Sequence, residues 1–203
     1  MRTLVIETAA GACSVALIER QTIIAERHED VGRGHAERLI PMIAELPDKG
    51  RADDILVDCG PGSFTGVRVG VAAARGLGLG WKVPVRGYSS LSLLAVNADW
   101  GSNETLAVAI LAGHGQIFVQ RFRRDAMRPL SDLVSLVPEE AALAIGDRLV
   151  IGSGAAALVA ARGQGDAREA GLSARAAAAL PASLSQLPPR PLYGRAPDAK
   201  PMM

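Results

Sequence analysis

What this 203-residue chain has little of narrows its function first. Its two cysteines, Cys13 and Cys59, lie far apart and form no CxxC pair, so neither a disulfide scaffold nor a structural zinc site is indicated. Both sit in apolar stretches, where cysteine acts as a small buried hydrophobe. The three histidines, His28, His35 and His114, are scattered, with no HxxxH or HExxH spacing to hold a metal. Neither sign of charge dominates. Lys plus Arg number 22 against 21 for Asp plus Glu, a net charge of +1 that argues against a wide phosphate-gripping face. No stretch approaches the roughly 18 apolar residues of a membrane span. The opening apolar run meets Glu7 too early for a signal peptide, so the cytoplasm is the expected location. With 49% hydrophobic and 21% charged residues, the composition is that of a soluble globular protein of one large domain or two small lobes.

What is present is a mixed α/β pattern. Residues 3–8, 12–18 and 22–25 are short β-like runs separated by tight turns, which predicts an antiparallel meander. The period then changes. Leu39, Ile40, Ile43 and Leu46 recur at helical spacing, predicting a helix over 35–46 that Pro41 should bend or weaken. Residues 55–59 form a further strand that enters Gly60-Pro61-Gly62-Ser63-Phe64-Thr65-Gly66. A helix lined with small residues follows to Gly80, then a strand at 83–86 and a helix at 91–96. The glycines in the 67–80 helix each cost about 1 kcal/mol relative to alanine, which points to close packing against another backbone. Strands at 106–111, 117–122 and 149–152 and an Ala-rich helix partly repeat the scheme. Two related lobes, residues 1–100 and 101–203, are therefore expected, with an extended Pro-rich tail from Pro181 and a disordered end.

No complete catalytic set emerges. The Gly60–Gly66 loop lies between strand and helix, so it either offers amides to an anion or fixes the angle between the two elements. It matches neither a Walker A loop nor GxGxxG. Ser63, His35 and Asp58 do not make a credible triad, since no GxSxG elbow surrounds Ser63. Glu7 and Asp58 end apolar strands, where they either meet a metal-bound nucleotide or stand solvated.

Several segments resemble the TsaB (YeaZ) family: Leu4-Val-Ile-Glu-Thr-Ala9, Ala12-Cys-Ser-Val-Ala-Leu17, Gly34-His-Ala-Glu-Arg-Leu-Ile-Pro-Met-Ile43, Gly60-Pro-Gly-Ser-Phe-Thr-Gly-Val-Arg-Val-Gly70 and Pro191-Leu-Tyr-Gly-Arg195. The resemblance is close over residues 1 to about 96 and weak after that except at the end. It implies a two-lobed actin-like ATPase (ASKHA, ribonuclease H-like) fold with mixed sheets. It also implies kinship with TsaD, which transfers threonylcarbamoyl to the adenosine beside the anticodon in tRNAs that read ANN codons. TsaD holds its metal with a His-x-x-x-His pair; here Ser90 and Leu94 take those positions, so no catalytic residue, metal or cofactor is expected. An acidic residue that the family commonly carries is also missing from Leu111–Gln116.

The resemblance further implies partners: TsaD through the two N-lobe helices, TsaE at the seam, tRNA through the complex, and a homodimer when alone. The expected contacts are His35, Leu39, Met42, Ile43, Val67, Val71, Ala74 and Leu77, and Val71→Glu suggests itself as the disrupting change. An independent ASKHA-type ATPase or sugar kinase is the alternative.

Overall fold

The computed structural model describes residues 1–125 and 127–194. The first sheet is built from β1 (Arg2–Glu7), β2 (Ala12–Glu19), β3 (Thr22–Asp30), β4 (Asp54–Asp58) and β5 (Val85–Tyr88), in the order β3-β2-β1-β4-β5. The first three strands form the expected antiparallel meander, and β4 and β5 add to it in parallel. α1 (His35–Ala44) links β3 to β4, and α2 (Phe64–Trp81) links β4 to β5. β3 runs five residues past the apolar segment that marks it in the sequence. It is an edge strand, so Glu26–Asp30 keep their backbone pairing with β2 while their side chains face solvent.

The second sheet repeats the plan. β6 (Thr105–Leu111) and β7 (Ile117–Arg123) are antiparallel, and β8 (Arg128–Pro129) and β9 (Val134–Leu136) share the outer edge of β7. On the other side of β6, β10 (Leu149–Ile151) and β11 (Asp166–Arg168) continue in parallel. α4 (Pro138–Ala144) and α5 (Ala155–Arg162) stand where α1 and α2 stand in the first half. The strands β8, β9 and β11 and the helix α4 were not legible because two- to seven-residue segments carry too little periodicity.

The halves interlock through the element that follows each sheet. α3 (Ser90–Asn97), which leaves β5, packs on β6 and β7, whereas the 3-10 segment Ala174–Ala179 packs back on β1, β2 and β3. The main apolar cluster consequently runs through both halves, from Leu4 and Ile55 to Phe122 and Ile151; a smaller cluster around Val119 and Leu158 lies under α4 and α5. After a short 3-10 turn at Ala182–Leu184 the chain is extended. Leu187 forms a bridge with Gly87 on the outer edge of β5, and Leu192 N–H donates to the Cys59 carbonyl at 2.8 Å. That segment covers an otherwise open sheet edge. The disordered end expected from sequence falls on residues 195–203, outside the described residues.

α2 lies unusually close to the β1–β2 turn. A Cβ on Gly62 or Gly66 would fall within van der Waals contact of the Ala9 or Thr8 carbonyl oxygen, and one on Gly70 would strike the Thr8 hydroxyl. Gly66 and Gly70, four residues apart, share one helix face, and Gly62 lies in the loop just before the cap Ser63. The close backbone approach that their number suggests is therefore to this chain's own first sheet. Gly76 and Gly80, by contrast, have open space around them. Gly66→Ala should lower stability by about 3 kcal/mol or prevent folding, because the carbonyl it meets is backbone and cannot turn aside. Gly76→Ala should raise stability by roughly 1 kcal/mol through helix propensity. Urea titration of the two variants measures both effects.

Candidate functional site

The strand ends beside α2 carry a buried acidic row. Register places Ser14 next to Glu7 and Tyr88 next to Asp58, and Glu7 and Asp58 lie one step beyond the parallel Ile6–Val57 pair. Neighbours in one row point to the same face, here the face under α3 and Ala174–Ala179. Glu7, Asp58 and Tyr88 are all fully buried. Asp58 accepts from the Gly60 N–H at 2.6 Å and from the Ser90 hydroxyl at 2.8 Å. Glu7 accepts from the Ala9 N–H at 2.5 Å through Oε1, while its Oε2 and the Tyr88 hydroxyl have no partner. Ser90, at one of the two positions where TsaD is expected to carry histidine, is thus spent on Asp58. Leu94, at the other, is buried and lines a cleft.

Two adjacent carboxylates without a cation cannot both ionise easily. Burial pushes the Glu7 carboxyl well above its ordinary value of 4.5, with the Asp58 charge adding to it. Burial likewise raises Asp58 to about 7, against the opposing pull of its hydrogen bonds from Gly60 and Ser90. Tyr88 is raised too, by burial first and then by the two carboxylates.

The other proposed catalytic atoms are committed elsewhere. His35 is buried, and its Nε2–H lies 3.0 Å from the Ala10 carbonyl, so this residue ties α1 to the β1–β2 turn. The Ser63 hydroxyl caps α2 by accepting from the Gly66 N–H at 3.2 Å. The Ser63 N–H donates to the Ala9 carbonyl at 2.7 Å, which joins the signature loop to the same turn. Of the two readings of Gly60–Gly66, this geometry favours the one in which the loop sets the strand–helix angle. The Gly60–Pro61 peptide is cis.

Two clefts open between the sheets. The smaller, about 420 Å³, is walled by the β1–β2 turn, Ser63, Leu111, Ser153 and residues 169–172. Among its described lining residues there is no lysine or arginine to meet phosphates, and Glu169 is the one carboxylate. The fold class implies a nucleotide in this place, but the side chains present do not fit its charge. The larger cleft, about 900 Å³, lies on the other side of the β6–β7 hairpin and touches Phe64, Arg68 and Tyr193. Among the described residues no group of three His, Cys, Asp or Glu side chains could hold a metal ion, and no helix is long and apolar enough to cross a membrane.

The eight expected contact residues need correction on physical grounds. His35, Leu39, Met42, Ile43, Val67, Val71 and Ala74 are all buried in this chain's own core, and Leu77 is half-buried. Sequence periodicity finds the apolar face of each helix, and that face packs inward. The outward stripes consist of Ala36, Ile40, Pro41 and Ala44 on α1, beside Ala72, Gly76, Leu79 and Gly80 on α2. Ile40 is 49% exposed and Leu79 83%.

A five-stranded and a six-stranded sheet, each with antiparallel strands extended by parallel ones, and helices crossing between them define a two-lobed actin-like protein. At 9% identity and a TM-score of 0.50, the ethanolamine utilization protein EutJ of Carboxydothermus hydrogenoformans shares this fold alone, over 88% of this chain and 87% of its own. The family model of TsaD, tRNA N6-adenosine threonylcarbamoyltransferase, matches residues 21–178. YeaZ from Pseudomonas aeruginosa superimposes with a TM-score of 0.77 at 27% identity, over 95% of this chain and 99% of its own. The tRNA threonylcarbamoyladenosine biosynthesis protein TsaB of Escherichia coli is 39% identical over 132 residues, 62% of this chain and 56% of the relative. The chain belongs to the TsaB (YeaZ) family, within the wider group described by the TsaD model. It spans a little over half the length of the curated relatives it matches.

The buried pair has a consequence for pH. Both carboxyls sit higher in the folded chain than in the unfolded one, so the native state holds protons that unfolding releases. The associated stability is complete below about pH 4 and is lost as pH rises through about 7. Between pH 5 and pH 8 the Asp58 shift alone corresponds to a loss of about 3 kcal/mol, and Glu7 adds in the same direction. Glu7→Gln keeps the Oε1 acceptor and removes one charge, so it should flatten that slope and raise the melting temperature at pH 8. Thermal unfolding across this range reads the difference.

Proposed function

We propose that the chain is a non-catalytic partner subunit that binds TsaD and supports threonylcarbamoylation of the adenosine beside the anticodon in tRNAs that read ANN codons. The observation that carries this reading is the pair of exposed apolar stripes on α1 and α2, in a chain whose family is shown. Ile40, Pro41, Leu79 and the open glycines Gly76 and Gly80 make an exposed, mainly apolar surface that has Glu37 and Arg75 as its charged neighbours. Such a surface suits close helix-to-helix docking and favours association over exposure to water. In this reading the lobes, residues 1–100 and 101–203, act as one rigid support for TsaD. TsaE binds at the seam, tRNA is engaged through the assembly, and the same stripes form a homodimer when TsaD is absent.

Chemistry points the same way. The carboxylates Glu7 and Asp58 are enclosed and raised, Ser90 is bound to Asp58 and Leu94 cannot ligate a metal, and the smaller cleft lacks a side-chain cation among its described lining residues. An ATPase or sugar kinase would need those groups.

The test is size-exclusion chromatography with light scattering, on the chain alone and mixed with TsaD. A one-to-one species is expected, and Leu79→Glu or Ile40→Glu should weaken it at least tenfold with little change in melting temperature. Val71→Glu is unsuitable, since Val71 is 5% exposed and a charge there would disrupt the core. Pairing that survives both surface substitutions would refute this interface. Tight ATP binding by the chain alone, with no complex, would favour the kinase-like alternative.

A further inference from the structure

The sequence signature that pairing does not use lies elsewhere, at the larger cleft. This chain has three Phe, two Tyr and two Trp, so an exposed aromatic ring is a scarce feature. Phe64 is 71% exposed and Tyr193 64%, and both stand on the same 900 Å³ cleft although they are far apart in sequence. One residue braces them. The Arg68 guanidinium lies 3.3 Å from the centre of the Phe64 ring and 5.3 Å from that of Tyr193. Its Nη2 donates to the Tyr193 hydroxyl at 2.9 Å, and its Nη1 donates to the Phe64 carbonyl at 2.9 Å. The rings are therefore held in place, with one face of Phe64 taken by the guanidinium and most of both residues still exposed.

The rest of the lining narrows the ligand. Leu111 supplies an apolar wall. The Ser135 hydroxyl donates to Gln116 Oε1 at 2.9 Å, which fixes that amide with its NH2 group as a donor in the lining. Among the described lining residues there is no carboxylate to repel a ligand attached to phosphates. The volume falls in the range of small-ligand pockets, roughly 300–1,000 Å³. Exposed aromatic faces, a guanidinium plane and a fixed amide donor are the groups on which unpaired bases stack and are read.

We propose that this cleft is a stacking site for an unpaired purine base of single-stranded RNA, seated against Phe64 and Tyr193. The inference rests on the reading of the chain as part of a tRNA-modifying assembly. It concerns a surface separate from the α1 and α2 stripes, so either can fail alone. Phe64 and Tyr193 are base-stacking residues here, and Arg68 is a positioning residue.

The experiment uses the whole chain without partners and a uridine pentaribonucleotide carrying 2-aminopurine at its centre. Saturable quenching of the 2-aminopurine fluorescence is expected. Phe64→Ala and Tyr193→Ala should each weaken binding about tenfold at unchanged melting temperature. Leu143→Ala, at a residue 91% exposed on α4, should leave it unaltered. Absence of saturable quenching, or quenching indifferent to both aromatic substitutions, overturns the proposal. Binding of an apolar dye that Phe64→Ala abolishes, with no binding of the pentamer, also overturns it and assigns the cleft to an apolar protein segment. None of these outcomes bears on co-elution with TsaD or its loss in Leu79→Glu.

Discussion

The contact between α2 and the β1–β2 turn is the constraint on which the rest of the molecule depends. Backbone meets backbone there, with Gly62 and Gly66 against the carbonyls of Ala9 and Thr8. Two hydrogen bonds fasten the join: Ser63 N–H to the Ala9 carbonyl, and the Thr8 hydroxyl to the Gly66 carbonyl at 2.8 Å. Seating α2 this deeply sets where Phe64 and Arg68 emerge at one end and where Leu79 emerges at the other. One packing requirement thus shapes the exposed stripe and the aromatic cleft. The opposite face of the same strand ends, under α3 and residues 174–179, encloses Glu7 and Asp58.

The interlocked halves extend that constraint. Because α3 covers the second sheet and residues 174–179 cover the first, the apolar cluster passes through both, and Ser90 reaches Asp58 from an element that belongs to the seam. The Asp54–Arg86 ion pair adds a tie at the outer edge, where Arg86 also donates to the Ser185 carbonyl at 2.9 Å. Asp54 is buried and Arg86 only partly so, a geometry in which losing either partner is costly because the other is left uncompensated.

Much of the fold was legible. The alternating apolar runs of β1, β2, β4, β6 and β7 mark strands, and the small-residue run after Phe64 marks α2. The restart near residue 104 marks a second copy of the plan. What escaped were segments too short or too polar to show a period, such as β9, β11 and the far half of β3. The candidate contacts went astray for a related reason: Leu39, Met42, Ile43 and Val71 stand out because they are apolar and periodic, and those properties select the inward face. The outward stripe of Ala36, Ile40, Gly76 and Leu79 is interrupted by polar neighbours and carries no comparable pattern.

By itself the sequence determined the family and the order of the longer elements, because those depend on local patterns and residue identity. Only the tertiary structure decided which face of α1 and α2 is free. It alone showed that the glycines at 62, 66 and 70 serve the internal join, and that Phe64 and Tyr193, remote in sequence, share Arg68 and one cleft. Those are matters of distance between segments remote in sequence, and a residue pattern has no coordinate along which to record them.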